Sequence, residues 1–249
     1  MFEDRVTLFK LFGFKVQIDA SWIIIALLVT WSLATGYFPS SYEGLSTRSY
    51  WQMSLIGTTG LFASIIFHEF CHSVVARRYG LPMKGITLFI FGGIAEMNKH
   101  PDRPKTEFLM AVAGPVASVL LGFGFHGLQQ YIDSQNGSVL LSGVFGYLAF
   151  INWLLAGFNM LPAFPLDGGR ILRSLLWAIR DDLVWATDIV CRLGSWFGIA
   201  LATLGVIALL QGYSINGIWY ILIGMFLNGA ARASQERVRK RLPSTRQNQ

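Results

Sequence analysis

Residues Met53–Ala76 read MSLIGTTGLFASIIFHEFCHSVVA, and Arg77-Arg78 follow at once. As a helix this run is long enough to cross a bilayer core, which takes about 20 mostly apolar residues. Five further runs have the same character: Ala20–Phe38, Phe108–Tyr131, Val139–Leu161, Ile189–Leu210 and Ile215–Ala231. Together they use about half of the 249 residues and leave no large soluble domain. Hydrophobic residues make up 53% of the chain and charged residues 14%, against about 25% charged in soluble domains. That excludes disorder, a secreted disulfide scaffold and a plain soluble globule. The expected fold is a polytopic α-helical membrane protein with about six transmembrane helices and a small membrane-edge β-sheet. One domain is expected over 1–249. It divides into N-terminal strands at 1–19, a membrane core at 20–236 with a β segment at 81–97, and a basic cytoplasmic tail at 237–249.

The net charge of +6 is distributed by loop. Arg5, Lys10 and Lys15 precede the first span. Arg77, Arg78, Lys84, Lys99, Arg103 and Lys105 lie between the second and third. Arg170, Arg173 and Arg180 lie between the fourth and fifth, and Arg232, Arg237, Arg239, Lys240, Arg241 and Arg246 follow the sixth. Of the alternate loops, the first holds only Arg48, and 132–138 and 211–214 have no Lys or Arg. This positive-inside pattern places both termini on the cytoplasmic side or its topological equivalent. The basic tail reads as a stop signal at the membrane surface rather than a nucleic-acid site. The two cysteines, Cys71 and Cys191, fall in spans, and no signal-peptide layout opens the chain.

Val6–Phe9 and Phe14–Ile18 alternate as two short strands around the Leu11–Gly13 turn. Leu81–Met97 is a second non-helical stretch, rich in β-branched and aromatic residues, in which Gly92-Gly93 marks a bend or a close backbone approach. Ala111–Ser118, read AVAGPVAS, opens the third span with small residues that let helices approach, and Pro115 starts or kinks that helix. Asn159–Arg170, read NMLPAFPLDGGR, breaks the end of the fourth span, because its two prolines and two glycines cannot form a continuous helix. The last residues, Pro243–Gln249, read as a frayed tail.

Chemistry concentrates in His68-Glu69-Phe70-Cys71-His72. On a helix, residues four apart share a face, so both imidazoles can bind one Zn²⁺, and Glu69 can act as general base on a water at the metal. Three ionisable groups within five residues of an apolar span are hard to satisfy without a metal or water. The bland alternative is three polar groups satisfying one another at a helix interface. A catalytic zinc needs a third protein ligand and an open position. His100 lies in a polar loop, and His126 lies towards the far end of the third span. Asp167, at a broken helix end on the same side as the motif, suits the role. From spacing alone it reads equally as a turn or N-cap aspartate before the helix Arg170–Ile179. Cys71 reads as a small buried apolar residue rather than a soft ligand. Asn152 and Asn159 lie on one face of the fourth span. They either tie helices together or contact substrate, with Asn159 hydrogen-bonding a carbonyl or oxyanion.

These residues resemble the site-2 protease family of intramembrane zinc metalloproteases. His68–His72 is similar to that family's first zinc motif. Asn159–Gly168, with its proline run ending in Leu-Asp-Gly, is similar to its second. Phe91-Gly-Gly-Ile-Ala95 and Ala113-Gly-Pro115 resemble two further landmarks in the same order, and the likeness covers nearly the whole chain. It implies that Asp167 is the third zinc ligand, that Asn159 contacts substrate, and that the reaction is cleavage of a membrane-embedded peptide, commonly in regulated intramembrane proteolysis. The likeness is to a short form: no peptide-binding PDZ domain is inserted, and the sequence stops about 18 residues after the sixth span, either because the protein is this short or because this is a piece of a longer one, so direct nucleotide regulation is not expected of this chain as it stands.

On this reading the cofactor is Zn²⁺, held by His68, His72 and Asp167, with Glu69 as catalytic base. Asn159, Asn152, Gly92 and Gly93 are the expected substrate contacts. The strand around Ile86–Glu96 would receive an extended peptide by strand addition. The expected partners are a single-pass membrane protein substrate and the lipid bilayer, with no nucleic acid, and a homo-oligomer is compatible with the sequence. The expected location is a prokaryotic cell membrane, multi-pass, with the active-site mouth on the cytoplasmic side. A zinc transporter is the first rival, but the remaining spans are poor in acids and histidines. A non-catalytic scaffold is the second, and the retained Glu69 counts against it.

Overall fold

A computed structural model of the chain describes residues 5–11, 13–81, 83–89, 92–97 and 101–241. His100 and the expected frayed tail lie outside the described residues. The elements follow in chain order. Strands β1 (Arg5–Leu11) and β2 (Phe14–Asp19) lead into helix α1 (Ser21–Ser32), which continues through a widened π-helical turn at Leu33–Tyr37 into α2 (Phe38–Ser41). Helix α3 (Thr47–Arg78) precedes strands β3 (Met83–Phe89) and β4 (Gly92–Met97). Helices α4 (Pro104–Ser134), α5 (Val139–Asn159), α6 (Asp167–Arg180), α7 (Leu183–Leu210) and α8 (Ser214–Arg241) complete the chain.

Among the described residues, five helical segments are long and apolar enough to cross a membrane: Ser21–Ser41, Thr47–Arg78, Pro104–Ser134, Val139–Asn159 and Leu183–Leu210. They correspond to the first five expected spans. The sixth expected span, Ile215–Ala231, lies within α8, which is not among those five. Its apolar stretch is short, interrupted by Asn216 and Asn228 and ended by Arg232. Helix α8 also runs on through Arg241, so the first part of the expected tail is helical. Pro115 lies inside α4 rather than at its start. The chain forms two compact units, Met1–His100 with Ala113–Gly157, and Pro101–Val112 with Phe158–Gln249.

In the first unit the sheet has the order β1-β2-β3-β4. β1 and β2 form an antiparallel hairpin, β2 and β3 pair in parallel, and β3 and β4 are antiparallel. Leu81–Met97 is therefore a hairpin and not one bent strand, and Gly92 and Gly93 open its second arm opposite Phe89 and Leu88. β2 alternates as read: Phe14 and Val16 are buried and Lys15 is exposed. Phe14 packs edge-on against Phe70 of α3, with the Arg77 guanidinium 4.7 Å above its ring. The sheet is thus anchored on the helical turn that carries the histidine motif.

Helix α3 begins where Ser46 Oγ accepts the Ser49 backbone N–H (3.1 Å), satisfying one orphan donor of the first turn. It ends in Arg77 and Arg78, where positive charge suits the helix C-terminus. Its N-terminal half packs in a cluster with Leu33, Phe38, Val144, Tyr147 and Leu148 around Met53.

In the second unit, α7 and α8 form a tight helical pair. Gly198 and Gly205 of α7 sit against the backbone at Gly224 and Gly217 of α8, close contact of the kind small residues permit in membranes. Gln235 donates to Asp188 Oδ1 at 2.9 Å. Arg173 of α6 donates through Nε (2.8 Å) and Nη2 to Glu107 Oε1, and its guanidinium lies 5.1 Å from the centre of the Phe164 ring. Both ionised groups are buried.

Removing one partner of a buried ion pair leaves an uncompensated charge, which costs about 3–5 kcal/mol, whereas replacing both by apolar groups is often neutral. Arg173→Met is therefore expected to lower the thermal midpoint of the purified chain in detergent strongly. The double variant Arg173→Met with Glu107→Leu should recover most of the loss.

Candidate metal centre

The helical period places His68 and His72 on one face of α3, and both are buried at 3% exposure. Their rings cross at 81° with centroids 4.8 Å apart, and the two Nε2 atoms stand 3.2 Å from each other. Two nitrogens bound to one tetrahedral zinc at about 2.0–2.1 Å would be separated by about 3.3 Å. A shared proton would satisfy one of these lone pairs, whereas a metal satisfies both. His68 Nδ1 is 2.8 Å from Ser118 Oγ on α4, and Ser118 is fully buried. Helix α4 also presents Gly114 to the pair. A Cβ built at Gly114 would overlap both Nε2 atoms, so only glycine leaves the space in which they face one another. The residues present fit a zinc ion on this ground.

Glu69 lies next to the first histidine and is half-buried, and its carbonyl accepts a 2.9 Å hydrogen bond from Ser73 Oγ. Asp167 is the first residue of α6 and is 7% exposed. Its N-cap, Leu166, makes no side-chain cap, and an aspartate in the first turn suits the positive end of the helix. The two glycines that follow are there for space. A Cβ at Gly168 would overlap the Met160 and Leu161 carbonyls, and one at Gly169 the backbone at Ala163 and Phe164. Phe164 is held in turn by its own N–H to the Val190 carbonyl (3.3 Å) and by Gly194 against its oxygen. Among the described residues, His68, His72 and Asp167 are a group that could hold a metal ion, each offering one ligand atom. Cys71 and His126 are not in that group, and the His126 ring packs on Trp153 instead, 5.6 Å between centroids.

Asn152 is fully buried, and its Nδ2 donates to Ser64 Oγ (2.9 Å) and to the Leu148 carbonyl (2.8 Å). Through the first of these bonds Asn152 links α5 to α3. Asn159 is the last residue of α5 and half-buried. Gly92 and Gly93 lie on β4, an edge strand of the sheet. Sequence reasoning missed Ser118, Glu107 and Arg173. The only signal for Ser118 was its spacing four residues after Gly114, on the same helix face.

The model of the family described as Peptidase family M50 matches residues 56–134 and 127–201. The Mycobacterium tuberculosis protein Rip3, a zinc metalloprotease by name, is 36% identical over 235 residues, which cover 94% of this chain and 60% of that protein. The Synechocystis protein sll0528, likewise named a zinc metalloprotease, is 35% identical, covering 96% of this chain and 62% of that protein. The chain thus spans about 60% of the length of these curated relatives. Among solved structures, the site-2 protease from Methanocaldococcus jannaschii is similar with a TM-score of 0.61 and 30% identity, covering 93% of this chain and 95% of that one.

Because a methyl at Gly114 would occupy the space between the two imidazoles, Gly114→Ala is expected to leave the purified chain without bound zinc. Gly124→Ala, at a position of the same helix with open space around it, should keep the wild-type zinc content when both are measured by elemental analysis.

Proposed function

The chain belongs to peptidase family M50, and from that premise we propose that it is an intramembrane zinc metalloprotease that hydrolyses peptide bonds in or near the transmembrane segments of membrane proteins. The observation that carries the reading is the pair of buried imidazoles with their Nε2 atoms 3.2 Å apart and a glutamate between them in sequence, inside an apolar helix. Ionisable groups in such a helix are costly and mark function.

His68, His72 and Asp167 would hold the ion. Zinc, when bound, supplies Lewis acidity towards a peptide carbonyl and lowers the pKa of water towards neutrality. Glu69 takes a proton from the attacking water and later gives it to the leaving amine. Asn159 binds the substrate carbonyl by hydrogen bond. A transmembrane helix resists attack because its carbonyls are paired, so the substrate must first be extended. The edge strand β4 offers main-chain groups to an extended peptide, and Gly92 and Gly93 allow close approach there.

The substrate on this reading is a single-pass membrane protein, and the setting is regulated intramembrane proteolysis. The distribution of Lys and Arg supports a cytoplasmic location for both termini and for the mouth of the site, in a prokaryotic cell membrane.

General bases of this kind contribute about 10²–10⁴-fold to rate. Glu69→Gln should therefore reduce cleavage of a single-pass reporter in liposomes by at least about 100-fold while zinc content stays at the wild-type level. Cleavage at the wild-type rate would remove Glu69 from the mechanism. Absence of product from the wild type, with zinc bound, would favour a scaffold that has kept its metal.

A further inference from the structure

We propose that Ser118 is a positioning residue of the metal centre: its hydroxyl accepts the Nδ1–H of His68 and thereby fixes the ring with Nε2 as the ligand nitrogen. This rests on the zinc metalloprotease reading, and it adds a residue that neither zinc motif contains.

A neutral imidazole carries one proton, and the nitrogen that keeps it is set by the hydrogen bond it makes. His68 Nε2 faces His72, so the proton belongs on Nδ1, 2.8 Å from Ser118 Oγ. Ser118 is 0% exposed and His68 3%, so water does not compete for this bond. Without the hydroxyl the buried N–H would lose this acceptor, a loss of about 1–3 kcal/mol. Gly114 and Ser118 are four residues apart on α4 and act on the same two rings: the glycine leaves room for them and the serine orients one of them.

The choice of a hydroxyl also follows from the surroundings. Metal-bound histidines often donate to a carboxylate. In an apolar span an added carboxylate would bring a full negative charge, at about 2.5–3.5 kcal/mol near the membrane centre, and a hydroxyl brings none.

The test uses the full chain purified in detergent and stripped of metal. Zinc affinity is read by competition with a chelator, the ligand field by the visible absorption of the Co²⁺-loaded protein, and fold integrity by the thermal midpoint of the metal-free protein. Ser118→Ala should weaken zinc binding about 10–100-fold, as other losses of such partners do, and should change the Co²⁺ spectrum. Ser118→Cys, which keeps the volume but is a poor acceptor, should fall between, and serves if the alanine variant does not fold. Ser64→Ala is the comparison. It removes another buried hydroxyl from the vicinity of the motif, the one bonded to Asn152, so it should lower the midpoint but leave affinity and spectrum unchanged.

Wild-type affinity in Ser118→Ala would overturn the proposal. So would equal losses of affinity in Ser118→Ala and Ser64→Ala, tracking their losses of metal-free stability. A wild-type chain that binds no zinc would overturn the proteolytic reading along with it, and is distinguished from the other outcomes by that measurement alone.

Discussion

Two imidazoles one helical turn apart, buried in an apolar helix and facing each other at 3.2 Å, are the constraint on which the first unit is arranged. Each ring nitrogen left without a partner in that setting costs free energy comparable to a lost hydrogen bond. The neighbouring helix answers this in two ways: Gly114 withdraws its side chain to leave the space a metal would use, and Ser118 supplies an acceptor to one ring. The sheet contributes from the other direction. Phe14 of β2 packs on Phe70, the residue midway between the histidines, so the strands are registered on the motif rather than appended to the membrane helices. The same contact places the sheet in the unit that holds the histidines.

The carboxylate is presented by a different local solution. Asp167 begins α6, where the helix N-terminus favours negative charge. Gly168 and Gly169 let that first turn lie directly on the backbone of the preceding loop. The loop is fixed at Phe164, which the Arg173 guanidinium covers while bonded to Glu107. A buried ion pair is seldom a net source of stability. Its value here is geometric, because it fixes the helix that begins with Asp167 and the loop that leads into it.

The spans and the histidine motif were legible because each is a local pattern: a run of apolar residues, or two histidines at helical spacing. The alternation in β2 was legible for the same reason, and Phe14 and Val16 are the residues it buries. What was not legible depends on contacts far apart in sequence. Ser118 meets His68 across 50 residues, and Arg173 meets Glu107 across 66. Leu81–Met97 shows the same limit on a smaller scale. Its composition announced strand, but whether Gly92-Gly93 bent one strand or opened a second depended on pairing with Phe89 and Leu88. Asn152 was read for two roles, and its bond to Ser64 spans 88 residues of sequence.

Charge explains why the two units solve their polar problems differently. The partner of the histidine pair on α4 is a hydroxyl, which adds no charge to an apolar helix. Glu107 and Arg173 are charged and can be buried only as a pair, with the remaining face of the guanidinium covered by an aromatic ring. Asp167 stands instead at the first turn of α6, where the positive end of the helix favours a carboxylate.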